Sequence, residues 1–227
     1  MNKRRSYHHG DLPTALLAAV DQIVREGGVG AVTLREAARR ADVSHAAPAH
    51  HFGDKAGLVT AYATQGFEAL RQQVTEAAVQ AEAVGEQALL AIGLAYVRFA
   101  VDQPGYFSVM FRRELLDPDR PGFREACDSA FAVLVEAVAA LRSDLEPDDP
   151  QILLAATGAW SIVHGFATLW LDDNVPEPIS DRTPDEAAAA ALLAFGETLR
   201  AAVAPGDRSA SATGRPSPTT GQPPPSG

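Results

Sequence analysis

Nowhere in this 227-residue sequence do apolar and polar residues alternate over a useful length; apolar side chains recur instead at spacings of three and four. That period excludes a half-buried sheet and commits the chain to helices. The first helical stretch begins near Asp11 and carries Leu12, Leu16, Val20, Ile23 and Val24. "EGGVG", from Glu26 to Gly30, ends it because glycine stops helices readily. A long helix is expected from Lys55 to about Ala83, with further helices over 86–102, 105–113, 121–143, 149–171 and 184–203. "DQPG" from Asp102, "DPDRPG" from Asp117 and "DDNVPEP" from Asp172 separate them with turn chemistry. The fold class is all-α. From about Ala204 onward Pro, Gly and Ser dominate, and 204–227 is expected to be a disordered tail.

Between the first helix and the long one the local signals tighten. Thr33 and Glu36 have the spacing of a capping box, so Thr33 is the expected N-cap of a helix whose small apolar face is Leu34, Ala37, Ala38 and Ala41. Asp42 and Val43 make a tight turn, and Ser44 is the expected N-cap of a very short third helix. Pro48 falls near the end of that helix's first turn, where a missing N–H costs less than in mid-helix. Asp54 is the expected cap of the long helix. Three helices of about sixteen, nine and eight residues, the last two joined by a tight turn, describe a helix-turn-helix whose third helix is free to enter a major groove. The chain's net charge of -10 conceals a split: residues 1–55 carry eight Lys/Arg against six Asp/Glu, a net of +2. A small basic end on an acidic body suits a protein that meets nucleic acid at one end.

"YHHGDLPTALLAAV" (Tyr7 to Val20) followed by "TLREAARRADVSHAAPAHHFGDKAGL" (Thr33 to Leu58) resembles the DNA-binding domain of the TetR family of transcriptional regulators. "AWSIVHGFATLW" (Ala159 to Trp170) is similar to the Trp-x-x-x-His-Gly signature of one class of C-terminal ligand domain in that family. The resemblance implies a helix-turn-helix domain over 1–55 and an effector-binding and dimerisation domain over 56–203. It implies phosphate contacts from Thr33, Arg35 and Lys55, and a DNA-facing surface made by Ser44, His45, Ala46 and His50. The implied partners are double-stranded operator DNA of pseudo-palindromic sequence, a small and mostly apolar effector, and a second copy of the chain. The implied activity is that of a ligand-responsive repressor in the cytoplasm, with no cofactor and no enzymatic reaction. Two positions depart from the family pattern. Asp42 stands where glycine is common at the turn, and Ala49–His50 stands where a tyrosine and a polar residue usually follow the proline. The basic arm Lys3, Arg4 and Arg5 could follow a phosphate strand, and His8–His9 is either part of that arm's contact or a bystander.

Other readings of the same residues are weaker. Adjacent His50 and His51 point roughly 100° apart on a helix, whereas helical metal pairs need a spacing of three or four, so no metal site is expected. Cys127 is the single cysteine, which excludes an internal disulfide and suits a reducing compartment; no secretory leader is apparent at the N-terminus. Ile152 to Leu171 is uncharged and long enough to span a bilayer, but acidic pairs flank it on both sides without a basic anchor. A helix apolar all round is expected to be buried on most sides, one face in its own core and another against a partner subunit. Ala187, Ala191, Leu192, Phe195 and Leu199 form a stripe that would join it in a four-helix bundle between subunits. Trp160 and His164 share a face and either pack as core or line an effector pocket, with Tyr96, Phe99, Phe107, Met110 and Phe111 as candidates for the other walls. A helical enzyme using Cys127 or His164, or a plain interaction module built on 56–203, are the alternatives.

Overall fold

The computed structural model describes residues 12–81, 85–142 and 144–203, with side chains to residue 197 in the last helix. Lys3, Arg4, Arg5, His8, His9, the tail 204–227 and the side chain of Leu199 lie outside the described residues. In chain order the helices are α1 (Leu12–Gly27), α2 (Leu34–Arg40), α3 (Ala47–Phe52), α4 (Lys55–Gln80), α5 (Glu86–Asp102), α6 (Pro104–Met110), α7 (Phe123–Ala139), α8 (Pro150–Leu171) and α9 (Pro184–Val203). Single 3-10 turns at Val29–Ala31 and Arg113–Leu115 complete the list, and no strand occurs among the described residues.

α1 turns Leu16, Leu17, Val20, Ile23 and Val24 inward, one apolar stripe at helical spacing. Ala37 and Ala38 on α2 are wholly buried, which lets α1 and α3 approach closely. Thr33 caps α2, its Oγ1 accepting from Glu36 N at 3.1 Å. Glu36 does not complete the reciprocal half of the box, because its carboxylate is taken by Arg39 and Arg40 at 2.7 and 2.8 Å. Those two guanidiniums hold the Glu36 carboxyl down at about 2. At the turn Asp42 has φ 53, the left-handed conformation that a short polar side chain tolerates.

The third helix begins later than the sequence suggests, and Ser44 is not its N-cap. α3 starts at Ala47 after Ala46, with no side-chain cap. Pro48 has no N–H to return to the Ser44 carbonyl, so that oxygen takes a turn bond from Ala47 N at 3.0 Å instead. The first helical bond of α3 runs from His50 N to Ala46 O. The helix expected over 105–113 likewise breaks: α6 stops at Met110, Phe111 leaves helical geometry, and a 3-10 turn follows. α7 spans 123–139 rather than 121–143, and α4 ends at Gln80 rather than near Ala83.

α4 is the spine. It packs on α1 and α3 near its start and on α5, α6 and α7 along the rest of its length, so head and body share one continuous helix. Asp54 caps it, accepting from Gly57 N at 2.8 Å. α8 buries Ile152, Ala156, Val163 and Ala167 against the body. Its opposite side leaves Leu153, Leu154 (72% exposed) and Leu169 open. By length and composition it could cross a membrane, yet within this chain its inner side is seated on α5, α7 and α9. The stripe expected on α9 is divided rather than continuous. Ala187 is buried and Leu192 packs against the core, meeting α5 at Gly93, whereas Phe195 is 40% exposed beside Leu193 at 55%.

Candidate functional site

Two constellations stand out, one around the start of α4 and one beside its middle, where Phe67 meets Phe111. In the head, Ser44, His45, Ala46, Ala49 and His50 are all exposed, and Pro48 and Phe52 turn inward. A small helix thus offers a thin polar edge with little bulk, a shape suited to lying deep in a groove. Arg35 and Thr33 are exposed at the start of α2, and Lys55 is exposed at the start of α4. Of the three arginines on α2, Arg39 and Arg40 are engaged by Glu36, and Arg40 also by Glu26 at 2.7 Å. Arg35 makes no ion pair among the described residues. Among the described residues, Lys55 Nζ reaches only the Gly30 carbonyl, at 3.4 Å. His50 and His51 are both exposed, their rings in an edge contact at 5.3 Å.

The head is fastened to the body at two places that the sequence does not announce. Tyr62, fully buried on α4, donates its hydroxyl to Asp21 Oδ1 of α1 at 2.6 Å. Burial, and then that bond, push the tyrosine's ionisation well above its ordinary range. Arg25 takes the other Asp21 oxygen at 2.7 Å and reaches Gln103 Oε1 at 3.2 Å, just before α6. Gly105 makes the clasp possible, since a Cβ there would stand 2.6 Å from the Tyr62 hydroxyl. The second fastening comes from the loop between α6 and α7. Asp117 N donates to Thr60 Oγ1 at 2.8 Å, and Thr60 is wholly buried. Arg120 Nη1 donates to the Phe52 carbonyl at 3.2 Å, with its guanidinium 5.6 Å from the Phe52 ring centre. A body residue therefore holds the carboxyl end of α3.

In the body, rings from α5, α6 and α8, with Phe111 just past the end of α6, converge on His164. Its ring lies 4.6 Å from Phe111, 5.3 Å from Phe107 and 5.7 Å from Trp160, centre to centre. Tyr96 Oη sits 2.8 Å from His164 Nδ1 and accepts from Trp160 Nε1 at 3.2 Å. A buried tyrosine hydroxyl needs an acceptor for its one hydrogen, and the bare Nδ1 is the acceptor within reach. The chain of donors then runs from Trp160 through Tyr96 to His164, which places the imidazole proton on Nε2. Burial pushes the His164 pKa down and the Tyr96 pKa up, and no charged side chain contributes to either shift.

Of the seven residues anticipated for the pocket, the structure brings five together: Tyr96, Phe107, Phe111, Trp160 and His164. Phe99 and Met110 are buried elsewhere in the core, Met110 against α4 at Gly66. Phe67 and Phe131 belong to the cluster unannounced, Phe131 through Trp160 at 6.0 Å and Phe67 through Phe111 at 5.5 Å. Neither lies in a motif, and only a helix-face pattern could have suggested them. Cys127 is half-buried, and burial followed by the neighbouring Asp128 pushes its thiol up to about 11, so it is protonated and a poor nucleophile at neutral pH.

Comparison with known proteins gives two family matches. Residues 16–62 match the family described as bacterial regulatory proteins, tetR family, and residues 89–195 match the tetracyclin repressor-like C-terminal domain. Among curated proteins, none matches this chain at a significant level. Among solved structures, a protein of unknown function from Rhodococcus sp. RHA1 is 30% identical at a TM-score of 0.71, covering 86% of this chain and 98% of its own. A tetR-family regulatory protein from Rhodococcus RHA1 is 23% identical at 0.60, covering 81% and 94%. FadR from Bacillus subtilis, solved with stearoyl-CoA, is 12% identical at 0.62 and covers 79% and 95%, a likeness of fold.

Proposed function

This chain belongs to the TetR family, whose members are DNA-binding transcriptional regulators, and on that premise we propose that it is a cytoplasmic, homodimeric repressor released from its operator by a small, mostly apolar effector. The observation that carries the reading is the exposed edge Ser44, His45, Ala46, Ala49 and His50, flanked by Arg35 and Lys55 and joined through α4 to the aromatic cluster around His164. In this reading Arg35, Lys55 and Thr33 hold phosphates and set register, and the α3 edge reads bases. The head spans 1–55 and the effector and dimerisation body spans 56–203.

Two copies meet through the open sides of α8 and α9. Leu153, Leu154, Leu169, Leu193 and Phe195 are exposed there, and Gly158 and Gly165 have open space where a Cβ would stand. Exposed apolar area of that kind favours burial against a like surface. The pair of heads would then face half-sites related by the two-fold axis. The stearoyl-CoA held by the Bacillus subtilis neighbour supports reading the body as ligand-binding. Differential affinity of the effector for two arrangements of the body is what moves the heads.

The test is selection of genomic fragments by the purified chain, followed by salt titration of binding to the fragments recovered. One or a few pseudo-palindromic sequences, bound with a steep salt dependence, are expected. Weak binding indifferent to sequence would overturn the reading.

A further inference from the structure

The hydrogen-bond chain in the body fixes more than packing, because it leaves one donor over. Trp160 Nε1–H is spent on Tyr96, and the Tyr96 hydrogen is spent on His164 Nδ1. His164 Nε2–H makes no hydrogen bond among the described residues; His164 is half-buried and no buried side-chain donor among them lacks a partner, so this N–H stands at the accessible edge of the cluster beside Phe107, Phe111 and Trp160. The charged side chains of the surrounding helices turn away. Glu68 and Arg71 of α4 and Arg124, Glu125, Asp128 and Glu136 of α7 are exposed, and Arg98 of α5 is paired outward with Asp185 of α9 at 2.7 Å. α6 and α8 carry no charged residue at all. Arg112, Arg113 and Glu114, directly after Phe111, are exposed as well. An ion seated among the rings would give up part of its water without a charged side chain in the cluster to replace it, which is costly. A neutral acceptor oxygen would instead satisfy the spare N–H, and a flat ring would replace one ring–ring contact with another at similar geometry.

We propose that the part of the effector seated at His164 is an uncharged, flat apolar group bearing one hydrogen-bond acceptor, of the kind an aryl ketone presents, received by His164 Nε2–H among the rings of Phe107, Phe111 and Trp160. This rests on the reading of the body as a ligand domain and names what that domain takes. Tyr96 is a positioning residue here: it holds the imidazole in the tautomer that leaves Nε2–H outward, without itself touching the guest.

The experiment has two arms on the full chain. In the first, nitrogen NMR of the 15N-histidine-labelled protein above neutral pH should show His164 protonated on Nε2 and bare on Nδ1; the opposite tautomer overturns the proposal. In the second, acetophenone, ethylbenzene and sodium benzoate are titrated by ligand-observed NMR. Acetophenone should bind about five- to tenfold more tightly than ethylbenzene, the worth of one hydrogen bond, and more tightly than benzoate. His164→Phe should bring acetophenone down to the level of ethylbenzene while ethylbenzene is retained, and retained ethylbenzene binding certifies the variant's fold. Tyr96→Phe should lower the ketone preference about twofold, as the imidazole divides between two tautomers. Equal binding of acetophenone and ethylbenzene, or benzoate binding as tightly as the ketone, overturns the proposal without any variant. Operator binding measured alongside separates the two claims. A ketone preference in a chain that binds no operator sinks the regulator reading alone, and operator binding with no ketone preference sinks this one alone.

Discussion

Gly57→Ala is a substitution for which helix propensity and the structure give opposite signs. Gly57 lies in the first turn of α4, and alanine in a helix is favoured over glycine by about 1 kcal/mol. A Cβ at Gly57, however, would stand 2.0 Å from the Phe52 carbonyl oxygen and 2.7 Å from Arg120 Nη1. Ordinary carbon–oxygen contacts begin at about 3.3 Å, so the Phe52 carbonyl would have to retreat by more than about 1 Å. It is main chain at the end of α3, and no rotamer change can move it. Overpacking of this kind costs about 1–3 kcal/mol, and a rigid neighbour puts the cost at the upper end. Displacing the carbonyl also forfeits the Arg120 bond, worth about 1.5 kcal/mol for a charged donor. After subtracting the propensity gain, the net loss should be about 2–4 kcal/mol, a large share of a domain's whole stability. Urea unfolding followed by circular dichroism measures it at fixed protein concentration. Arg120→Ala alone should cost about 1–2 kcal/mol, and the double variant should cost less than the sum, because both act on the same carbonyl. A Gly57→Ala chain as stable as the parent, or more so, would refute the claim that the end of the reading helix is lodged against that α-carbon.

Gly158→Ala and Gly165→Ala probe the open side of α8, where nothing lies within 4 Å of the added methyl in a single chain. If a second copy packs there, each should weaken dimerisation in analytical ultracentrifugation; if the face stays open, each should stabilise by up to about 1 kcal/mol. Arg35→Ala and Lys55→Ala should weaken DNA binding for all sequences and reduce the logarithmic salt slope by about one unit each. An unchanged slope would remove those residues from the phosphate contacts. His164 has its pKa lowered by burial, so the unfolded chain takes up a proton first as pH falls. Stability from this residue is therefore full above about pH 6.5, its ordinary value, and declines as pH falls from there towards the folded pKa. His164→Phe should flatten that part of the stability–pH curve, and an identical curve in the variant would contradict the assigned burial.

The parts of this fold that were legible are those written locally. α5, α8 and α9 begin and end within a residue of where period and turn chemistry put them: Pro150 and Pro184 open α8 and α9, and the turn at Gln103–Pro104 closes α5. Asp42 was legible as a turn residue in a place where glycine is common, and its φ of 53 is the left-handed conformation such a place asks for. The start of α3 was misread because Ser44 looks like a cap, while the deciding fact is the N–H that Pro48 lacks. The fastenings were not legible at all. Asp21 and Tyr62 are 41 positions apart, and Phe52 and Arg120 are 68 apart, so no window on the sequence contains both partners. In the body, Trp160 and His164 could be paired by spacing. Tyr96, which ties them together, is 64 residues from one and 68 from the other.

Arg120 grips the reading helix by a main-chain oxygen and the ring of Phe52, not by any of the side chains on the exposed edge. A carbonyl is the same whatever residues precede it. On the proposed reading, Ser44, His45, Ala46, Ala49 and His50 can therefore change identity over generations, and the DNA sequence recognised with them, while the connection to the body persists. If α3 reads the operator as proposed, a lineage built on this plan can exchange one operator for another without rebuilding the part that would sense the effector.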